Sequence, residues 1–286
     1  MFQKTFILFL IFFLQGFSQK IEKKVGAYKI TEEIFLTENN KKIAKQVFYF
    51  NESGNILEKI KFGRHHYNKL NIIGEIEQFF YKDDKLQLSK KYISSCKSCK
   101  FFQYYSKYEY NEGKLISENV FYAENDSLFM STNYVYKPNL KEIHFNSSVY
   151  YLNKYDDKNR IIEQNQVYEE TNKIRWKNEF SYSDNFRVGK FQTFYNDGKD
   201  RSEIEIVSYN SDRIIASKEI IREKYKTKLF YFYDKYGIIK KIEEYESFSE
   251  DDYKLIYTTV FKVNRKAKDI DKSVITELNS ALMESN

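Results

Sequence analysis

One short pattern returns along the chain and limits its fold more than any other feature. It has two aromatics one residue apart, an Asn or Asp, a polar turn, and then a pair of aliphatic residues. Near the start it reads Phe48-Tyr49-Phe50-Asn51-Glu52-Ser53-Gly54-Asn55-Ile56-Leu57. It returns as Tyr108-Glu109-Tyr110-Asn111-Glu112-Gly113-Lys114-Leu115-Ile116 and as Tyr155-Asp156-Asp157-Lys158-Asn159-Arg160-Ile161-Ile162. A fourth copy is Tyr231-Phe232-Tyr233-Asp234-Lys235-Tyr236-Gly237-Ile238-Ile239. Weaker copies turn at Asp83-Asp84, Pro138-Asn139, Asp184-Asn185, Asn210-Ser211-Asp212 and Glu38-Asn39-Asn40. Tyr and Phe suit a pleated, half-buried surface. Asn, Asp and Gly tolerate the positive φ that a tight hairpin turn requires.

Alternation sets the faces of these strands. Tyr104, Ser106, Tyr108 and Tyr110 share one side, and Gln103, Tyr105, Lys107 and Glu109 share the other. Ile238 and Ile242 fall opposite Lys241 and Glu243. Neither face is purely apolar. Long Lys and Glu stems can cover Tyr rings while their charges stay wet, and opposed Lys and Glu on neighbouring strands form cross-strand pairs. The chain is therefore expected to be all-β, an antiparallel meander of about eight or nine repeated hairpins, close to 16–18 strands. The meander is read as a single extended or curled sheet with a short C-terminal helix.

Two of the copies, Tyr155-Asp156 with Arg160-Ile161 and Tyr233-Asp234 with Gly237-Ile238, resemble the YD repeats of RHS-type proteins. The spacing is longer than in that family, and its usual Gly-Arg turn is mostly missing. The chain is more similar to small exported Bacteroidota proteins built from degenerate YD-like hairpins. That resemblance implies a repeat scaffold without a known activity, and a link to toxin-associated repeats.

Two other architectures are weighed. An outer-membrane barrel needs an uninterrupted lipid-facing apolar band. Glu58, Lys59 and Lys61 crowd one strand, and Lys240, Lys241, Glu243 and Glu244 crowd another. The mature chain is thus not expected to span a membrane. A β-propeller needs four-stranded blades at periods of about 40–50 residues, and no such super-period is present.

The ends read differently from the middle. Residues 1–18, Met-Phe-Gln-Lys-Thr through Gly16-Phe17-Ser18, have the tripartite form of a cleaved signal peptide. Lys4 precedes an apolar run from Phe6 to Leu14, and Gly16 and Ser18 precede the cut. The expected location is therefore outside the cytoplasm: periplasm, cell surface or extracellular. Residues 19–265 form the hairpin domain and residues 266–286 a capping helix. Ile270, Val274, Leu278 and Leu282 make one apolar stripe, which is expected to cover the last exposed strand edge.

Composition excludes several functions. The net charge is +6, with 47 Lys plus Arg spread along the chain against 41 Asp plus Glu, so no basic stripe suggests nucleic-acid binding. Cys96 and Cys99 form a lone C-x-x-C, read first as a local disulfide in an exported protein, with metal or redox roles as alternatives. Zinc would need further ligands, and only His65, His66 and His144 could join. No nucleophile elbow, phosphate loop or dinucleotide fingerprint occurs, so no catalytic, cofactor or metal residues are named. The 26 Tyr and 25 Phe furnish strand cores or a face for protein or glycan. The expected function is an exported, non-enzymatic β-repeat protein with a structural or binding role in the cell envelope. The alternatives are a glycan-active envelope hydrolase and a toxin-neutralising, immunity-like protein.

Overall fold

The computed structural model describes residues 26–63, 73–94, 101–145, 147–194, 201–210, 214–248, 252–264 and 270–283. The first half holds β1 (Tyr28–Leu36), β2 (Lys41–Phe50), β3 (Ile56–Phe62), β4 (Ile73–Lys82), β5 (Lys85–Ile93), β6 (Phe101–Asn111), β7 (Lys114–Tyr122), β8 (Leu128–Lys137) and β9 (Leu140–Phe145). The second holds β10 (Val149–Tyr155), β11 (Ile161–Tyr168), β12 (Ile174–Tyr182), β13 (Phe186–Thr193), β14 (Arg201–Tyr209), β15 (Ile215–Arg222), β16 (Lys226–Tyr233), β17 (Ile239–Ser247) and β18 (Lys254–Val263). A single α-helix, α1 (Lys272–Met283), follows among the described residues.

The recurrent motif marks one end of this assembly. Asn51, Asp156, Asn210 and Asp234 each accept a backbone N–H four residues on, at 2.9–3.1 Å, through side-chain Oδ1. Gly54, Asn159 and Gly237 take the positive φ those turns need. Beside the turn the register skips one residue, which sets an aromatic opposite an aliphatic: Phe50 with Ile56, Tyr81 with Leu86, Tyr110 with Leu115, Tyr155 with Ile161, Tyr209 with Ile215 and Tyr233 with Ile239. Such bulges sharpen the local twist.

Tyrosine hydroxyls then tie each hairpin to the one before it. Tyr110 donates to the Leu86 carbonyl at 3.0 Å, Tyr136 to Leu115 at 3.0 Å, Tyr182 to Ile161 at 2.7 Å and Tyr233 to Ile215 at 2.8 Å. The acceptors are the aliphatic residues of the preceding bulge. The aromatic-turn-aliphatic pattern is thus a staple repeated around the sheet. The Glu38-Asn39-Asn40 copy, with Asn40 at φ 51, turns at the opposite end.

The sheet does not end. Every strand pairs with its sequence neighbours, and β1 pairs with both β2 and β18, with Ile30 opposite Val263 and Leu36 opposite Tyr257. Asn264 pins this seam, its side chain accepting the Lys29 N–H at 2.8 Å and its own N–H donating to the Lys29 carbonyl at 3.0 Å. The expected open meander is therefore corrected to a closed 18-stranded antiparallel barrel. Twist curls a sheet this wide, and pairing its two edges satisfies the N–H and C=O groups they would expose. The charged strands argued against a lipid-facing wall, but closure itself needs no apolar outer face.

One face of the sheet is concave. Cavities at both sides of the barrel are lined chiefly from it, and its residues are the less exposed ones in β6, β8, β12 and β13. The helix lies on this lumenal face, not on a strand edge, since no described strand has a free edge. Val274, Ile275, Leu278 and Leu282 pack against Tyr28, Ile30, Phe48, Phe50, Ile238, Ile239, Ile242 and Phe261. Asn279 latches it: its Oδ1 accepts the Ile239 N–H at 2.9 Å and its Nδ2 donates to the Gly237 carbonyl at 2.7 Å. Asp271 caps its start by accepting the Ser273 N–H at 2.9 Å.

Candidate functional site

The residues singled out by sequence do not assemble into a reactive centre. Cys96, Cys99, His65 and His66 lie outside the described residues, as does the expected signal peptide. His144 sits on the outward face of β9, where its Nε2 is 3.1 Å from Glu142 and its ring stacks on Tyr150 at 5.0 Å. Among the described residues no group of three His, Cys, Asp or Glu side chains is placed to hold a metal.

The barrel lumen is the site that closure creates. Its wall is built from charged triples across neighbouring strands. Glu75 on β4 stands between Lys61 and Lys91, at 3.0 and 3.1 Å. Glu205 on β14 stands between Arg187 and Lys218, at 2.5 and 2.6 Å. The outward face carries the same device, with Glu163 between Lys154 and Lys177 and Glu33 between Lys42 and Lys262. These are the cross-strand pairs that alternation of Lys and Glu predicts. Burial pushes the Glu75 carboxyl up, but the two lysines outweigh it and hold it below the ordinary range.

Two adjoining cavities open within this wall. One, of about 970 Å³, is lined by Trp176, Phe191, Arg201, Glu203, Arg222 and Tyr225 among others. The second, of about 490 Å³, is lined by Arg222, Tyr225, Tyr231, Glu244, Glu246 and Tyr257 among others, with Met283 of α1 on its wall. Arg222 and Tyr225 border both. They flank the β15–β16 turn, which the Arg222 N–H closes by donating to the Tyr225 carbonyl at 3.0 Å. The turn lays the Arg222 guanidinium 5.0 Å from the Tyr225 ring centroid, and Glu203 forms an ion pair with its Nε at 2.5 Å. Tyr151 supports the Trp176 ring at 5.4 Å.

The second cavity differs in its electrostatics. Across the register Glu244 faces Leu229 on β16 and Tyr257 on β18, and among the described residues it makes no ion pair like those of Glu75 and Glu205. Burial, and then the neighbouring Glu246, push its carboxyl above the ordinary range. Burial also raises the Tyr231 phenol to about 12, helped by Glu205 and Glu244, so it stays a neutral donor. A third cavity, of about 390 Å³, lies on the wall of β4–β8 with Tyr104, Tyr108 and Phe129. Its Tyr104 and Phe129 rings lie 5.1 Å apart, and the neighbouring Tyr122 ring lies 5.4 and 5.0 Å from them.

Sequence reading missed Trp176, Arg222, Tyr225, Glu244 and Glu246 as a group. Each sits on a separate hairpin or beside a turn. Only the inward face of a closed barrel brings them together.

No family model matches the sequence, and no curated protein matches it. Among solved structures the chain is similar to a porin-like protein from Bacteroides uniformis ATCC 8492, with 8% identity over 82% of this chain and 97% of that one, at a TM-score of 0.44. It is also similar to TcdB2-TccC3-TEV, with 10% identity over 80% of this chain and 13% of that one, at a TM-score of 0.37. A structure of TcdB2-TccC3 without its hypervariable C-terminal region matches at 8% identity over 84% of this chain and 15% of that one, at a TM-score of 0.32. These likenesses are too distant to carry a function across. Among the described residues no helix is long and apolar enough to cross a membrane.

Proposed function

We propose that the chain is an exported, non-enzymatic binding protein of the cell envelope whose lumen takes up a saccharide chain. The observation that carries this reading is the pair of adjoining cavities that share Arg222 and Tyr225. Flat rings of Trp176, Phe191, Tyr225, Tyr231 and Tyr257 alternate there with charged and amide side chains. Sugar rings take such faces on their C–H sides and hydrogen-bond at their rims. An extended peptide would bind mainly through backbone pairing with a free strand edge, and the closed sheet offers none among its described strands.

Export rests on the signal-like residues 1–18. Placement outside the lipid bilayer rests on the outward face, where Lys45, Lys107, Glu163, Lys190 and Lys228 stand around the ring. Each would cost about 2–4 kcal/mol near a bilayer midplane if basic, and somewhat less if acidic. Calorimetric titration of the purified chain with a panel of oligosaccharides tests the reading. Saturable binding that Trp176→Ala weakens is expected, and no binding to any saccharide would refute it.

One observation favours a second reading, the glycan-active hydrolase. Glu244 carries a raised carboxyl beside Glu246 in a walled cavity, as a general acid requires. Product release from the same oligosaccharides, abolished by Glu244→Gln, would favour it over simple binding.

A further inference from the structure

We infer that the lumenal cleft selects saccharides bearing an oxyanion, carboxylate or sulfate, and that Arg222 is the residue that reads it. This deepens the lumenal-binding reading and rests on it. Arg222 borders both cavities, so a chain passing from one to the other must cross its guanidinium. That group is preorganised. The turn hydrogen bond fixes its backbone, its carbon lies 5.0 Å from the Tyr225 ring centroid, and Glu203 pairs with Nε at 2.5 Å. The two terminal NH2 groups are the part of a guanidinium fork that grips a carboxylate or sulfate through two parallel hydrogen bonds. The side chain is 33% exposed, which is wet enough for a ligand to reach and dry enough to strengthen the bond.

The surrounding charge favours an anion in the larger cavity. Its lining carries Arg201, Arg222 and Lys224 against Glu203 and Glu223. The lining of the smaller cavity carries Lys218 and Arg222 together with Glu244 and Glu246. The anionic sugar is therefore placed at the shared border and the larger cavity, with a neutral sugar ring against Tyr231 and Tyr257.

The test is titration calorimetry with three probes of matched length: a neutral gluco-oligosaccharide, an oligogalacturonide and a sulfated oligosaccharide. At least one anionic probe is expected to bind roughly tenfold or more tightly than the neutral one. Arg222→Gln should weaken the anionic probe by about 10- to 100-fold, the loss of a charge-assisted pair, so that the anionic and neutral probes bind the variant alike. Glu203→Gln keeps Arg222 and a side-chain oxygen beside its Nε while removing a negative charge from the larger cavity, so it should tighten the anionic probe a few-fold, which a merely structural Glu203 would not do. Equal binding of all three probes, or a preference that survives Arg222→Gln, overturns the inference while saccharide binding stands. An acidic peptide that binds as tightly as the anionic sugar also overturns it. Failure of every saccharide to bind removes the underlying reading instead.

Discussion

The helix latch makes a sharp prediction. Asn279 is 5% exposed and is the polar residue on the packed face of α1 that meets two backbone groups at once, the Ile239 N–H at 2.9 Å and the Gly237 carbonyl at 2.7 Å. Asn279→Leu has nearly the same size and is more apolar, so hydrophobic burial alone predicts a neutral or stabilising change. The hydrogen-bond account predicts the reverse, because it leaves a buried donor and a buried acceptor without partners. Each costs about 1–3 kcal/mol, so the variant should lose about 2–5 kcal/mol. In a barrel of this size that lowers Tm by roughly 5–15 °C. Guanidinium unfolding followed by Tyr and Trp fluorescence reads the free energy, and scanning calorimetry reads Tm. Leu278→Ala, at a residue with 0% exposure, supplies the scale for losing apolar contact at the same site, about 2–5 kcal/mol. Asn279→Asp keeps the acceptor for Ile239 but sets a second oxygen against the Gly237 carbonyl. Its neutral form can donate there, so its folded-state pKa is raised, and its stability should recover as pH falls through that raised value and be fully regained below about 4. An Asn279→Leu variant as stable as the parent would refute the latch.

Other consequences follow from the staple, the turns and the charged triples. Tyr→Phe at 110, 136, 182 and 233 should each cost about 0.5–1.5 kcal/mol and add nearly independently in denaturant titrations, since the four bonds lie on different hairpins. Gly54→Ala should destabilise more than Gly113→Ala in thermal melts. Both glycines have φ above +80, but a Cβ at Gly54 would meet Glu277 Cβ at 3.0 Å and Val274 Cγ1 at 3.3 Å, while Gly113 has nothing within 4 Å. Acid should weaken the barrel through Glu33 and Glu75. Burial raises both carboxyls, but Lys262 and Lys42 at Glu33, and Lys61 and Lys91 at Glu75, lower them further. A lowered folded-state pKa stabilises above the unfolded value of about 4.3 and is lost as pH falls through the folded one, so Glu75→Gln should flatten the stability profile below roughly pH 5.

The sequence by itself determined the hairpins, because their signals are local. Asn51, Asp156, Asn210 and Asp234 bend the chain through their own side chains, and each aromatic finds its aliphatic partner within about ten residues. The apolar stripe of α1 was legible for the same reason, as was the pairing of Lys with Glu across strands. Closure was not. Ile30 and Val263 lie 233 positions apart in sequence, with no single turn motif joining them to announce the pairing. That seam is decided by accumulated twist and by the cost of two unpaired edges, which belong to the whole sheet and to no segment of it. The helix therefore docks on the lumenal wall, and Trp176, Arg222, Tyr225 and Glu244 share one cleft. Their distances are set by the ring that carries them, so only the tertiary structure could bring them together.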